Sequence, residues 1–452
     1  MVNPPSLLLD AAARSVRYLE GLADRSVAPS PAALATLSRL TPPLPEAGLP
    51  PEQVLALLDE VGSPATLATA GPRFFGFVIG GALPATVAAS WLAAAWDQNA
   101  GLRSTSPAAA ALEDAALAWL IDLLGLPPGT GGGFVTCATA ANLSGLAAAR
   151  HALLARQGYD VEARGLFGAP PLRVVVGNEV HVSVLKALGI LGLGRERVER
   201  VQTDGQGRLR ADALPALDER TIVCLQAGNV NTGAFDPASL VVARARAAGA
   251  WVHVDGAFGL WARAAPSLAG LAGGLEGADS WATDAHKWLN VPYDSGVVFC
   301  REPAHLRAAM RAQAAYLTES EAREPHQYVP DFSRRARGVE VWAALLALGR
   351  AGLRDLLERT CGHARRFAEA LRADGHAILN EVVLNQVLVS FGPPERTRRV
   401  IREIQDGGVL WCGGSQWQEH TVMRISVSSW ATTDADVQRS LEGIRAAVAR
   451  AD

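Results

Sequence analysis

Primary amines are scarce in this 452-residue chain, because only Lys186 and Lys287 are lysines among its 42 basic residues. Arginine stays protonated and is not a nucleophile, so a lysine that is kept can mark a place where an amine must form an imine. Chance survival of two surface residues is the alternative. The surroundings favour chemistry for Lys287, which lies in Ser280-Trp-Ala-Thr-Asp-Ala-His-Lys-Trp288, directly after a predicted strand.

A carboxylate follows the preceding predicted strand, 251–254. This residue is Asp255, and Lys287 comes 32 residues later. Open α/β sheets bind ligands at the carboxyl ends of their strands, where both groups are expected. The pair fits pyridoxal 5′-phosphate (PLP), since the lysine can form an imine with its aldehyde and the carboxylate can keep its ring nitrogen protonated. A strand-end cap or a buried ion pair would explain the same residues without a cofactor.

Other polar residues are predicted at the same edge of the sheet. Asn229 and Asn231 follow the predicted strand 221–225, and His181 follows the strand 173–176 and its turn. An imidazole in that place could stack on a pyridine ring. A hydrogen-bonded core histidine is the alternative for His181.

A phosphate group would need backbone donors, and residues 129–142 could supply them. The glycine-rich run 129–133 leads into 136–142 and then into an alanine-rich helix. Small residues allow close backbone approach, and a helix N-terminus presents free N–H groups to an anion. Ala138 and Thr139 are the predicted contacts, with a surface loop that caps the helix as the alternative.

The elements that must position these residues alternate between strands and helices from about residue 70 to 310, which is typical of a parallel α/β sheet. Helices are predicted over 108–124, 141–156, 182–191 and 238–248, and the remaining strands over 280–283 and 296–300. The polar, aperiodic stretch 312–337 predicts a long functional loop.

The chain is predicted to have three parts. Residues 1–70 form an N-terminal helical segment with little core of its own, expected at a dimer interface. Residues 71–325 form a large PLP-binding domain around a mostly parallel sheet. Residues 326–452 form a smaller C-terminal α+β domain.

The composition excludes several classes of protein. With 49% apolar and 19% charged residues the chain can bury a large core, which excludes a disordered protein. A net charge of −3 does not favour binding to nucleic acid or anionic membranes. The uncharged stretch between Arg73 and Asp97 is interrupted by Pro84 and rich in small residues, so no membrane span is expected. Five scattered cysteines indicate a reducing, cytoplasmic location, and the nine histidines show no metal-ligand spacing.

Two motifs, His253-Val-Asp-Gly-Ala257 and Asp284-Ala-His-Lys-Trp288, resemble the group II PLP-dependent amino-acid decarboxylases, the family of aromatic-L-amino-acid and glutamate decarboxylases. The resemblance runs from residue 72 to residue 425 and covers most of the chain. It implies the PLP-dependent transferase type I fold (aspartate aminotransferase-like) and decarboxylation of an L-amino acid to its amine. It also implies a homodimer with the active site at the interface.

The resemblance assigns roles to the residues at the sheet edge. Lys287 would be the Schiff-base lysine, Asp255 the partner of the pyridine nitrogen and His181 the stacking imidazole. The phosphate would be held by His286 together with Ala138 and Thr139.

Substrate chemistry depends on residues outside this cluster. Tyr316 matches the family's mobile-loop tyrosine, which is thought to protonate the carbanion after carbon dioxide leaves. Arg424 matches an arginine near the site that either binds the substrate carboxylate or fixes structure. Phe77 could line an aromatic pocket or belong to the core.

The chain departs from the aromatic-specific members in two places. Residues 96–103, expected at a pocket wall from the neighbouring subunit, include Asp97 and Asn99 where those members are more apolar. Asn99 could face a polar side chain or form an interface turn. Asn229 and Asn231 replace a threonine-rich turn, so the phenolic oxygen of the cofactor is expected to be held differently.

An aromatic L-amino acid is the favoured substrate, and other outcomes stay open. An aldehyde synthase, a transaminase or an aldolase could use the same carbanion. A non-catalytic PLP-binding scaffold is disfavoured, because the set Asp255, His181, Lys287 and Tyr316 is intact.

Overall fold

The structure is a computed structural model that describes residues 4–312 and 322–451. The α-helices of that part are α1 (Pro4–Glu20), α2 (Pro31–Ala35), α3 (Pro51–Leu57), α4 (Ser63–Ala65), α5 (Pro84–Trp96), α6 (Pro107–Leu123), α7 (Ala138–Arg156), α8 (Val161–Arg164), α9 (Val182–Ile190), α10 (Ala238–Ala247), α11 (Pro266–Ala269), α12 (Ala285–Trp288), α13 (Pro303–Met310), α14 (Gly338–Ala373), α15 (Pro394–Gly407) and α16 (Asp434–Ala451). Its strands are β1 (Gly131–Val135), β2 (Arg173–Gly177), β3 (Glu199–Val201), β4 (Thr221–Gln226), β5 (Trp251–Asp255), β6 (Ser280–Asp284), β7 (Gly296–Cys300), β8 (Ala377–Ile378), β9 (Gln386–Ser390), β10 (Gly413–Trp417) and β11 (His420–Ser426).

The chain folds into two compact units. The first comprises Met1–Ile79, Arg366–Leu379 and Leu388–Asp452, and the second comprises Gly80–Arg365 and Asn380–Val387. The predicted boundaries at residues 70 and 325 stay predictions. Among the helices of the described residues, none is long and apolar enough to cross a membrane.

The second unit is built on a sheet whose order, in the described part of the chain, is β1-β7-β6-β5-β4-β2-β3. Neighbours from β6 to β3 are parallel, whereas β7 is antiparallel to both β6 and β1. Each of the five strands predicted from apolar runs is observed to within one residue of its predicted ends. The α/β class is therefore confirmed, and the parallel β4, β5 and β6 end at one edge of the sheet.

The glycine-rich run before α7 forms a strand rather than a phosphate-binding loop. Gly131, Gly132 and Gly133 belong to β1 and pair with Cys300, Phe299 and Val298 of β7. A Cβ at Gly132 would lie 2.3 Å from the Val298 carbonyl oxygen, so glycine is needed for close packing inside the sheet. The sequence did not predict this strand, because a run of glycines has the composition of a loop as long as its partner strand is unknown.

Helix α7 lies across the sheet and carries the small residues that allow close approach. Its residues Ala141, Ala148 and Leu153 are fully buried in the same core as Val176 and Val298. A Cβ at Gly145 would lie 2.7 Å from His253 Cε1, so glycine lets the helix pass directly over the imidazole. The N-terminus of α7 consequently begins beside the carboxyl edge of the sheet.

The first unit contains most of a second sheet, which in the described residues has the order β10-β11-β9-β8. Arg73, only 1% exposed, lies inside this unit. Its guanidinium donates to the Val409 carbonyl at 2.8 Å and the Ala23 carbonyl at 2.7 Å, and it pairs with Asp436 at 3.1 Å. These contacts join the N-terminal segment to the C-terminal segment of this unit.

Candidate active site

Lys287 lies on the short helix α12, which begins directly after β6. Its Nζ is 3.0 Å from Oδ2 of Asp284, the last residue of that strand, and the Asp284 side chain is only 3% exposed. The other oxygen of Asp284 accepts the backbone N–H of Ala138 at 2.5 Å. Asp284 thus forms an ion pair with the amine of Lys287. It also accepts a hydrogen bond from the N-terminus of α7, where positive partial charge accumulates.

His286 lies between the amine and the loop before β7. Its Nδ1 accepts the backbone N–H of Ser295 at 3.1 Å, which leaves the ring proton on Nε2, 3.7 Å from Asp284 Oδ2. Burial lowers the pKa of His286 below its usual value, against the opposing charge of Asp284. The centroid of its ring lies 4.2 Å from that of Tyr293, with the two ring planes tilted by 31°. His286 is therefore a neutral N–H donor held beside Lys287.

Asp255 ends β5 and accepts hydrogen bonds from several donors. Oδ1 accepts the backbone N–H of Ala257 at 3.2 Å, and Oδ2 lies 3.1 Å from Asn142 Nδ2 and 3.2 Å from Ser183 Oγ. The Asp255 residue is 5% exposed. Because β5 and β6 pair in parallel, Asp255 and Asp284 end neighbouring strands, yet each carboxylate has its own partners.

His181 joins this group through Ser183. It forms the N-cap of α9, and its Nδ1 lies 2.7 Å from Ser183 Oγ and 3.3 Å from the Ser183 backbone N–H. The hydroxyl of Ser183 therefore connects the predicted stacking imidazole with the predicted partner of the ring nitrogen.

Asn229 holds the turn after β4 and leaves one donor unused. Its Oδ1 accepts the backbone N–H groups of Asn231 at 2.9 Å and Thr232 at 3.2 Å. Its Nδ2 is buried and has no hydrogen-bond partner among the described residues. An unpaired buried amide is costly, so this donor is explained if a bound group supplies the acceptor.

These residues fit PLP. Lys287 supplies the amine, Asp255 a fixed carboxylate for the ring nitrogen, and Asn229 an unused donor suited to the phenolic oxygen. Of the first backbone N–H groups of α7, that of Ala138 donates to Asp284, whereas that of Thr139 has no acceptor within the helix and can take a phosphate oxygen. The chemistry of the predicted residues in the second unit is therefore compatible with the amine-reactive, anionic and ring-nitrogen groups of this cofactor.

The residues predicted to contact the substrate fall in both units of the chain. Asn99 is exposed, and its Oδ1 accepts the backbone N–H groups of Gly101 at 3.2 Å and Arg334 at 3.0 Å, which makes it a turn-forming residue. Phe77 and Arg424 belong to the first unit. Phe77 is 61% exposed and stacks 5.6 Å from Trp411, whereas Arg424 lies on β11, where burial lowers its pKa. Tyr316 lies outside the described residues.

Sequence reasoning missed the residues that support the predicted ones. Asp284 was visible within the Asp284-Ala-His-Lys motif, directly before the lysine. Asn142 and Ser183 carried no signal, because their contacts with Asp255 span 113 and 72 positions of the chain. A cavity of about 600 Å³ opens farther along α7, beside His151 and Ala155, and contains none of the predicted site residues.

A family model described as the pyridoxal-dependent decarboxylase conserved domain matches residues 42–392. The aromatic-L-amino-acid decarboxylase of Bacillus atrophaeus is 26% identical over 425 residues, which cover 89% of this chain and 86% of that protein. The acidic amino acid decarboxylase GADL1 of Homo sapiens is 27% identical over 387 residues, 81% of this chain and 71% of that protein. A crystal structure of Oryza sativa TDC with PLP and tryptamine superposes with a TM-score of 0.90 at 23% identity, covering 99% of this chain and 97% of that one.

Proposed function

Because this chain belongs to the pyridoxal-dependent decarboxylase family, we propose that it converts an aromatic L-amino acid to the corresponding amine and carbon dioxide. The bond between the α-carbon and the carboxylate breaks, the electron pair stays on the α-carbon, and one proton replaces the carbon dioxide. PLP, when bound, supplies the electron-accepting ring that stabilises this electron pair. The residues of this chain hold the reactants and manage the protons.

The separation of the two carboxylates is the observation that carries the proposal. Asp284 lies 3.0 Å from the amine of Lys287, whereas Asp255 accepts hydrogen bonds from Asn142 and Ala257. Asp284 is therefore committed to the amine, and Asp255 stays available for a cationic ring nitrogen. A simple buried ion pair would need only one carboxylate.

Each remaining group has a proposed task. Lys287 would hold the cofactor covalently through its amine, give it up to the substrate amine, and displace the product amine when it takes the cofactor back. Thr139 and His286 would bind the phosphate, whereas the predicted contact Ala138 already donates its N–H to Asp284, and His181 would stack on the ring. Tyr316 delivers the proton that the α-carbon takes up. Asn229 donates to the phenolic oxygen.

The aromatic side chain of the substrate, the homodimer and the cytoplasmic location are parts of the proposal. The Bacillus atrophaeus relative, named for aromatic substrates, aligns with a larger share of the chain than the Homo sapiens relative named for acidic ones. The identities of the two are nearly equal, so the choice of side chain needs a direct experiment.

Mass spectrometry of products decides the reaction and the substrate together. The PLP-loaded protein is incubated with a panel of aromatic, acidic, aliphatic and basic L-amino acids, with Lys287→Ala as the matched inactive control. We expect a primary amine from tryptophan, tyrosine or phenylalanine and none from the control.

Other products would overturn parts of the proposal. An amine from glutamate or aspartate alone would replace the aromatic substrate, and an aldehyde or keto acid would replace the reaction. No product from any amino acid, with PLP bound, would favour a non-catalytic role.

A further inference from the structure

His253 is a buried titratable residue to which the proposed reaction gives no task. It lies on β5 two residues before Asp255, so both side chains leave the same face of the strand. The pairing of β5 with β6 places Ser280 beside it. Gly145 lets α7 pass over the imidazole, and Asn142, one turn earlier on that helix, reaches the space between His253 and Asp255.

The hydrogen bonds of this cluster fix the position of every proton between Trp251 and Asn142. The indole N–H of Trp251 donates to Ser280 Oγ at 3.0 Å. The only other partner of this hydroxyl among the described residues is His253 Nδ1 at 2.8 Å, so the hydroxyl donates its proton there. The ring proton of a neutral imidazole must then be on Nε2, which lies 2.9 Å from Asn142 Oδ1. Burial lowers the pKa of His253 to about 4, which keeps the imidazole neutral at physiological pH.

This proton order decides which end of the Asn142 amide faces Asp255. With Oδ1 taken by His253, the amide nitrogen points to Asp255 Oδ2 and to Ser183 Oγ, each at 3.1 Å. The reverse orientation would place an amide oxygen against a carboxylate oxygen and leave two N–H groups facing an N–H donor. Only the observed orientation of the Asn142 amide gives His253 Nε2–H an acceptor and Asp255 Oδ2 a donor.

The orientation of Asn142 matters because the other side-chain donor to Asp255 is shared. The single proton of the Ser183 hydroxyl has two acceptors within reach, Asp255 Oδ2 at 3.2 Å and His181 Nδ1 at 2.7 Å. Asn142 differs from Ser183 in this respect. Its oxygen accepts from His253, so its N–H must face Asp255.

We propose that His253 is a positioning residue, which orients the Asn142 amide and through it holds the Asp255 carboxylate aimed at the ring nitrogen of the cofactor. The inference rests on the proposed function, in which Asp255 keeps that nitrogen protonated. A merely structural role would fill space in the core and would leave the ring nitrogen unchanged.

The first test concerns the tautomer, and it needs neither a variant nor the cofactor. Nitrogen-15 NMR of histidine-labelled apoprotein should show a neutral imidazole, protonated on Nε2, whose signal is lost in His253→Gln. A signal for His253 protonated on Nδ1 would overturn the inference that His253 orients Asn142, even if the enzyme decarboxylates as proposed.

The second test measures the cofactor in three variants. PLP labelled with nitrogen-15 in its ring reports the ring proton, and titration of apoprotein reports the dissociation constant. His253→Leu removes the donor to Asn142, and we expect a shift toward the unprotonated ring nitrogen with a roughly ten-fold weaker dissociation constant. His253→Gln keeps an N–H donor and should stay within about two-fold of wild type. His363→Leu, a buried histidine on α14, is the matched control and should change neither value.

The outcomes separate the inference from the function. A folded His253→Leu with an unchanged ring-nitrogen signal and an unchanged dissociation constant would overturn the inference. A wild-type protein that binds no PLP, or binds it with an unprotonated ring nitrogen, would overturn the proposed function instead. If His253→Leu does not fold, Ser280→Ala removes the partner that fixes the tautomer, and an unchanged ring-nitrogen signal there overturns the inference.

Discussion

Replacing Gly145 with alanine tests whether α7 must touch the imidazole of His253. The added Cβ would lie 2.7 Å from Cε1 and 2.9 Å from Nδ1 of His253, and 3.4 Å from Ser280 Cβ. The imidazole is fully buried and hydrogen-bonded at both nitrogens, so it cannot swing aside and the helix must shift. Overpacking of this kind costs about 1–3 kcal/mol, and the better helix propensity of alanine returns about 1 kcal/mol. We expect a net loss of up to about 2 kcal/mol in the free energy of unfolding.

Urea unfolding of apoprotein, at one fixed protein concentration, measures this loss. Gly362→Ala is the matched control, because Gly362 also lies inside a helix and its added Cβ would meet only Arg365 Nη2, at 3.9 Å. That control should gain about 0.5–1 kcal/mol. If Gly145→Ala is as stable as Gly362→Ala, then the helix does not need glycine to pass the imidazole. PLP affinity should also fall in Gly145→Ala, because Asn142 moves with the helix.

Four further predictions follow from single sites. Lys287→Ala should form no amine while its melting temperature stays close to that of wild type; amine formation in product mass spectrometry would refute the role of the lysine. Tyr316→Phe should slow amine formation and let oxygen divert the carbanion to aldehyde, and normal amine yield alone would contradict this. Burial lowers the pKa of His253 from 6.5 to about 4. As the pH falls, the imidazole is therefore protonated in the unfolded chain at a higher pH than in the folded protein. Stability should be full above pH 6.5 and drop by up to about 3 kcal/mol toward pH 4, with a shallower fall in His253→Gln by urea titration at each pH. Glu113→Ala leaves the buried guanidinium of Arg334 without its carboxylate and should cost about 3–5 kcal/mol in urea unfolding, with a smaller loss for Glu113→Gln.

The sequence was sufficient where a signal is local. Apolar runs ending in Asp255 and Asp284 predicted β5 and β6, because a strand buried on both faces needs continuous apolar residues. Lys287 was singled out by the scarcity of lysine in the chain together with the residues around it. These features need no knowledge of distant parts of the chain.

The parts that could not be predicted depend on what the fold brings together. The run 131–133 has the composition of a loop, and only its pairing with β7 shows that the glycines are needed inside a sheet. In the sequence, Asn142 has no feature that distinguishes it from other helical residues. Its contacts with His253 and Asp255 arise only because α7 crosses β5 closely. For Asn99 the sequence left a substrate contact and a turn open, and only the fold shows that its oxygen accepts the backbone N–H groups of Gly101 and Arg334.

Two carboxylates at adjacent strand ends present a problem that the arrangement of β5 and β6 solves. If both faced the amine of Lys287, neither would be free for a ring nitrogen, and their like charges would repel each other. Asp284 lies three residues before Lys287, so the start of α12 brings it to the amine. Asp255 is drawn the other way, by donors on α7 and by the N–H of Ala257. The separation depends on α7 passing close to the sheet, so the absence of a side chain at Gly145 matters for the chemistry of the site as much as for the packing of the core.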